Sequence, residues 1–105
     1  QGGTIYDLCA GSGSLTIQAW RLNPDAEFIC EEMDGEVIPF LLANLSLRNI
    51  RGWAIHRNAL TLETVAVYRL ESGKQFSAVT IEASAPDIHA DAIISLGCTG
   101  TTAGR

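Results

Sequence analysis

The chain has 105 residues, 47% hydrophobic and 18% charged, with 12 acidic against 7 basic side chains and a formal net charge of −5. That is a globular composition with room for one small domain and a single core. The acidic balance excludes a broad basic face that could neutralise nucleic-acid phosphates. The three cysteines, Cys9, Cys30 and Cys98, are odd in number and nowhere spaced Cys-x-x-Cys, which argues against a disulfide framework or zinc site and makes a reducing, cytoplasmic setting the expectation. No apolar run nears the roughly 20 residues that cross a bilayer, and no signal-peptide pattern opens the chain. It begins at Gln1 and enters a strand almost at once, so it is read as a piece of a longer polypeptide.

Thr4 to Leu8 is β-branched, aromatic and apolar, with Asp7 near its end, and reads as a buried strand. Gly11 and Gly13 then permit a tight turn and a close approach of backbone to a ligand. Ser14 is placed to cap a helix over Leu15 to Arg21, with Leu15, Ile17, Ala19 and Trp20 as its apolar members. Strand, glycine turn and helix start make a candidate nucleotide site, because the first N–H groups of a helix are free to meet ligand oxygens. Thr16 stands where the dinucleotide fingerprint has its third glycine, and no lysine precedes Lys74 to complete a phosphate loop.

Asn23-Pro24 ends that helix. Ala26 to Cys30 is a second strand, closed by Glu31-Glu32. Asp34 caps a helix from about Gly35 to Asn49, with Ile38, Leu41, Leu42, Leu45 and Leu47 as its stripe and Pro39 tolerated in the first turns. Trp53 to His56 is a third strand, Asn58-Ala59-Leu60 a loop and Thr61 to Leu70 a weaker helix. Glu71 to Lys74 is a turn, Phe76 to Ile81 a strand or hairpin arm stopped by Ala85-Pro86-Asp87, and Asp91 to Leu96 a last strand. Gly97 to Arg105 reads as a flexible tail, leaving residues 1–96 as the domain. Trp20 and Trp53 are expected to anchor helices to the sheet. Cys9 and Cys30 are read as small packing residues, and His56 and His89 as having no catalytic task.

Alternation of strand and helix at this spacing gives an α/β, Rossmann-like parallel sheet with flanking helices. Ligands of such sheets sit beyond the carboxyl ends of the strands. The informative stretches are therefore Asp7 to Gly13, Glu31 to Met33 and Asn58 to Leu60, facing one crevice.

Three motifs then agree with one family. Asp7-Leu8-Cys9-Ala10-Gly11-Ser12-Gly13-Ser14 resembles the first motif of S-adenosylmethionine-dependent DNA methyltransferases, especially adenine-N6 enzymes related to type I restriction-modification M subunits. Glu31-Glu32-Met33-Asp34, with the helix ending Asn44-Leu45-Ser46-Leu47-Arg48-Asn49-Ile50, is similar to the acidic second motif and the helix after it. Arg57-Asn58-Ala59-Leu60 is similar to the third, usually Gly-Asp-x-Leu. The resemblance covers about Ile5 to Leu60 and implies a partial class I methyltransferase fold binding S-adenosyl-L-methionine.

On that resemblance the cofactor is held by Asp7, Cys9, Ala10, Gly11, Ser12, Gly13, Glu32, Met33, Asn58, Ala59 and Leu60. Gly11 and Gly13 would let backbone pass the methionine part, and Asp7 would hold its amino end. Glu32 would accept from both ribose hydroxyls, with Glu31 as the competing candidate. Met33 would lie on the adenine face and Asn58 would read its edge, an amide standing where the family has Asp.

Amine methyltransferases of this group carry Asn-Pro-Pro-Tyr or Phe after the fourth strand, to orient the target amine and stack on a flipped base. Here Asp91 to Ser95 is followed by Leu96-Gly97-Cys98-Thr99-Gly100, and the motif occurs nowhere in the chain. No catalytic residue is therefore assigned. The expectation is the cofactor-binding part of an adenine-specific DNA methyltransferase that does not itself methylate. DNA would be reached only through regions outside this chain or through a specificity or other subunit. The alternative is a non-catalytic module binding the cofactor or a partner through the same crevice; a dinucleotide oxidoreductase is disfavoured by the missing third glycine.

Overall fold

The computed structural model describes residues 3–8, 10–58, 60–61 and 63–86. They form a small α/β unit in the order β1 (Thr4–Asp7), α1 (Ser14–Leu22), β2 (Glu27–Glu32), α2 (Ile38–Leu47), β3 (Gly52–Arg57), β4 (Thr64–Glu71) and β5 (Ala78–Glu82). Among these residues the strands make one five-stranded sheet in sequence order. The pairs β1–β2 and β2–β3 are parallel, and β3–β4 and β4–β5 antiparallel. The sheet is therefore mixed, compatible with a Rossmann-like fold. The expected strand Asp91–Leu96, the tail, Cys9, Ala59, His89 and Cys98 lie outside the described residues.

Both crossovers step the same way along the sheet, which puts α1 and α2 on one face. The core there joins Ile17 of α1 and Ile38, Leu41 and Leu45 of α2 to Ile5, Phe28, Cys30, Ala54 and Leu70 of the strands. A smaller cluster of Tyr6, Ile29, Ile55 and Val67 occupies the opposite face. The split follows from the two-residue period of a strand: Phe28, Cys30 and Glu32 point to the helices, Ile29 and Glu31 away.

α1 begins one residue earlier than a serine cap predicts. Gly13 is the N-cap in a left-handed conformation, φ 96°, and its carbonyl accepts the first helical hydrogen bond from Ile17 at 2.8 Å. Asn23 closes the helix, its N–H reaching the Ala19 and Trp20 carbonyls and its side-chain amide that of Ala19. α2 is shorter than expected because Asp34 builds a separate turn, its Oδ1 accepting from the Glu36 N–H at 2.9 Å, and Val37 is the cap. The α2 stripe holds for Ile38, Leu41 and Leu45, but Leu47 is exposed, lying about 200° around the helix from Leu45.

The expected helix over Thr61–Leu70 is corrected to β4. Val65-Ala66-Val67-Tyr68 fits either period over so short a run, and what decides is the edge of β3, whose residues 52–57 find partners in 64–70. Trp53 also departs from expectation: it packs against the face away from the helices, with the Arg69 guanidinium 4.6 Å from its ring centre. Trp20 does pack against the helix-side core.

The hairpin β4–β5 is sewn to the end of α2. Asn49, at φ 59°, exchanges two side-chain hydrogen bonds with the backbone of Gly73, at 3.0 and 2.9 Å. The Ser46 hydroxyl donates to the Ser77 carbonyl at 2.7 Å, and the buried Ser77 hydroxyl to the Ile50 carbonyl at 2.6 Å. One position in this frame admits no side chain: a Cβ on Gly52 would lie 1.8 Å from the Phe28 carbonyl oxygen. Gly52→Ala must therefore push β3 off β2. The expected loss is roughly 2–4 kcal/mol, read as a lowered midpoint in denaturant unfolding.

Candidate functional site

Because β1, β2 and β3 run parallel, the loops that follow them emerge at one edge of the sheet. The first turns back at once: the Ala10 N–H donates to the Glu31 carbonyl at 3.0 Å, and the Gly13 N–H to the Ala10 carbonyl at 2.8 Å. Gly11 and Gly13 both have positive φ, 56° and 96°. Their surroundings differ. A Cβ on Gly11 would meet nothing within 4 Å, so this residue faces open space, whereas one on Gly13 would come within 3.1 Å of Leu41 in α2. Gly13 thus serves helix packing as well as the turn. Ser12 is exposed, and its carbonyl is held by the Asn44 side-chain amide at 2.8 Å.

Glu32 joins the first loop to the second. Its Oε1 accepts from the Gly11 N–H at 2.7 Å and its Oε2 from the Asp34 N–H at 2.9 Å. The carboxylate is buried, yet each oxygen has a second lone pair beyond the bond it accepts here.

The neighbouring Glu31 is on the other face and paired differently. Arg57 grips it bidentately, Nε to Oε1 at 3.0 Å and Nη2 to Oε2 at 2.9 Å. Donating to Glu31 raises the Arg57 pKa above its already high ordinary value. Geometry therefore separates the two glutamates: Glu31 closes a strand-to-strand clamp, and Glu32 opens onto the glycine loop.

Asp7 is fully buried under α1, its Oδ2 accepting from the Thr16 hydroxyl at 2.6 Å. It stands beside Cys30 in the parallel register, and Thr16 also reaches the Cys30 sulfur at 3.7 Å. Burial pushes the Cys30 thiol up to about 12, with Thr16 opposing and Asp7 adding to the shift. The packing role expected for Cys30 is the one it has.

Asn58 follows β3 at the same edge. Its side-chain oxygen accepts from the Leu60 and Thr61 N–H groups at 2.8 and 3.0 Å, and its own N–H donates to the Glu63 carbonyl at 2.7 Å. The acceptor expected to read adenine is thus engaged in building its own loop. Met33 and Leu60, from adjacent loops, are both exposed at this edge. His56 lies beside Glu32 in the register and packs over Gly35, where a Cβ would fall 2.8 Å from its Cε1.

Ala10, Gly11, Ser12, Gly13, Glu32, Met33, Asn58 and Leu60 lie at or beside this edge, while Asp7 is buried beneath α1 against Thr16. Thr16, Asn44 and Arg57 were missed as contributors. Thr16 stood out only as the absent glycine, and Arg57 only as part of a motif. The available signal for Arg57 was its place at the end of the strand after Glu31's, two residues beyond Ile55, which stands beside Glu31. The edge is acidic, with Asp7, Glu31, Glu32, Asp34 and Glu36 against Arg57, and combines buried acceptors with open loop backbone. An acidic edge of this kind attracts cations.

The thiol shift has a consequence for stability. The unfolded thiol ionises near 9.0 while the folded one keeps its proton to about 12, so the unfolded state binds fewer protons between these values and stability falls as pH rises through that window. Below pH 9 this contribution is fully present. Unfolding followed from pH 8 to 11 should show a steeper loss in the native chain than in Cys30→Ala. No protein-family model, curated protein or solved structure matches the chain.

Proposed function

We propose that this chain is the S-adenosyl-L-methionine-binding portion of a class I methyltransferase fold, of the adenine-N6 DNA methyltransferase kind that its three motifs resemble. The observation that carries the reading is Glu32: a buried carboxylate at the tip of the second strand, oriented by the backbone N–H of the glycine loop. Gly11 opening onto space supports it, since the loop leaves room for a ligand there.

In this reading Glu32 uses its remaining lone pairs to accept from the two ribose hydroxyls. Met33 and Leu60 flank the adenine, and the Asn58 turn sets the floor of its slot. Asp7, buried and bonded to Thr16, acts on the amino end of the cofactor through the loop that it braces. The cofactor supplies an electrophilic methyl group on a sulfonium. Transfer also needs a group that holds the accepting nitrogen in line, and no Asn-Pro-Pro-Tyr or Phe stands in this sequence. The chain binds the cofactor and by itself turns nothing over. That same absence favours the second reading, a non-catalytic cofactor-binding module.

Calorimetric titration with S-adenosylmethionine and its demethylated product should show binding, and a nicotinamide dinucleotide should show none. Losing two charge-assisted hydrogen bonds in Glu32→Ala should weaken binding by about 100-fold or more, and Glu32→Gln by less. Circular dichroism checks that both variants are folded. Glu31→Gln, on the opposite face, should change affinity by no more than about threefold. Binding unaffected by Glu32→Ala contradicts the assignment. Incubation with methyl-labelled cofactor and adenine-containing DNA should give no sustained incorporation, and steady turnover would refute the non-methylating reading.

A further inference from the structure

The imidazole of His56 has a place in the fold but no hydrogen-bonding task within it. Ala54 belongs to the helix-side core, and the two-residue period of β3 puts His56 on that same side. The parallel register sets His56 directly beside Glu32, whose carboxylate faces the helices as well. Neighbouring strands lie about 4.7–4.9 Å apart, so the two side chains leave the sheet about that far from each other and in the same direction.

The turn between β2 and α2 settles onto the imidazole. A Cβ on Gly35 would fall 2.8 Å from the His56 Cε1 and 3.3 Å from its Nε2, so glycine at this position is what lets turn and ring meet. The turn is otherwise built from its own groups. Asp34 N–H donates to Glu32 Oε2, Glu36 N–H to Asp34 Oδ1, and Val37 N–H to the Asp34 carbonyl at 3.0 Å. None of these bonds uses the ring. The imidazole nitrogens have no hydrogen-bond partner among the described residues, and neither is buried, so both reach solvent.

We propose, resting on the cofactor reading, that His56 is a specificity-determining residue of the same site, donating a ring N–H to N3 of the bound adenine. N3 is the acceptor on the sugar side of the base. It therefore stands next to the ribose, whose hydroxyls Glu32 takes. A donor one strand over from Glu32, on the same face and at the same height in the sheet, is placed for that atom. Imidazole carries at least one N–H whether neutral or protonated. The nearby side chains Glu32 and Asp34 are acceptors, and Arg57 is held on the opposite face by Glu31. The Asn58 oxygen is committed to its own turn. A base nitrogen that needs a donor finds one in His56.

The test is calorimetric titration of the full chain with the demethylated cofactor and with its 3-deaza and 1-deaza forms, each carrying C–H in place of one ring nitrogen. The 3-deaza form should bind about tenfold more weakly than the parent, and the 1-deaza form should match the parent within about threefold. His56→Phe keeps a ring on Gly35 and loses the donor. It should bind the parent about tenfold more weakly and no longer distinguish it from the 3-deaza form, with the circular dichroism spectrum unchanged. His56→Gln retains an N–H donor and should recover part of both the affinity and the discrimination. Glu32→Ala should weaken all three forms together.

A second measurement needs no change at the site. In a chain carrying His89→Gln, the ring proton resonances of His56 should shift as the demethylated cofactor saturates the protein. Absence of a 3-deaza penalty overturns the proposal. So does a penalty that survives in His56→Phe, a 1-deaza penalty as large as the 3-deaza one, or His56 resonances unmoved at saturation. In each of those cases binding that still depends on Glu32 leaves the cofactor reading standing. Binding of none of the three forms overturns both.

Discussion

A buried carboxylate demands partners, since leaving it without them costs several kcal/mol, and in this chain the demand of Glu32 shapes the whole carboxyl edge. Its two oxygens draw in the N–H groups of Gly11 and Asp34, so the loop leaving β1 and the loop leaving β2 are fixed against the same side chain. The glycine turn is further held through the Ser12 carbonyl by Asn44 of α2, and beneath it Asp7 is held by Thr16 of α1. Each helix that covers the sheet thus contributes one side-chain hydrogen bond to the edge. The edge is positioned by the packing of the core rather than by the loops alone. That is the condition for a site whose geometry exists before its ligand arrives.

Strand parity decides which glutamate does this. Glu31 and Glu32 are adjacent, identical in type and equally acceptable as the end of an apolar strand, so their sequence leaves the choice open. In the sheet they point to opposite faces. Glu31 stands beside Ile55 of β3 and is clamped by Arg57 two residues farther on, while Glu32 stands beside His56 and under the glycine loop. A one-residue slip of β2 would exchange the two environments, burying Glu31 among the helices and leaving Arg57 facing an apolar neighbour. Register and site are therefore a single constraint.

The parts legible in the sequence were those with long or doubly marked signals. The first three strands, the two helices between them and the placing of three loops at one edge follow from hydrophobic period and from glycine, proline and asparagine as punctuation. Thr61–Leu70 was not legible, because ten residues whose apolar members are Leu, Val, Ala, Val, Tyr and Leu satisfy a helical and a strand period alike, and the answer lay in a distant edge, that of β3, needing a partner. Trp53 was misplaced for a related reason: alternation shows that a residue points to one face, not which face carries the helices. Thr16 looked like a defect in a glycine pattern, whereas three-dimensional proximity makes it the brace of Asp7 and Cys30. Asn58 looked like a ligand-reading amide, and its oxygen is committed to the local turn, a competition that sequence spacing does not reveal.

The distribution of charge separates two tasks that a DNA-modifying enzyme combines. The carboxylates gather where β1, β2 and β3 end, with Asp7, Glu31, Glu32, Asp34 and Glu36 against one arginine. A cation is attracted to that edge, whereas a phosphate backbone approaching it is repelled. On the proposed cofactor reading, nucleic acid is gripped by a basic surface supplied by another part of the polypeptide or by a partner. On the proposed reading, the acidity of the described edge suits an inner wall rather than a surface that grips phosphate.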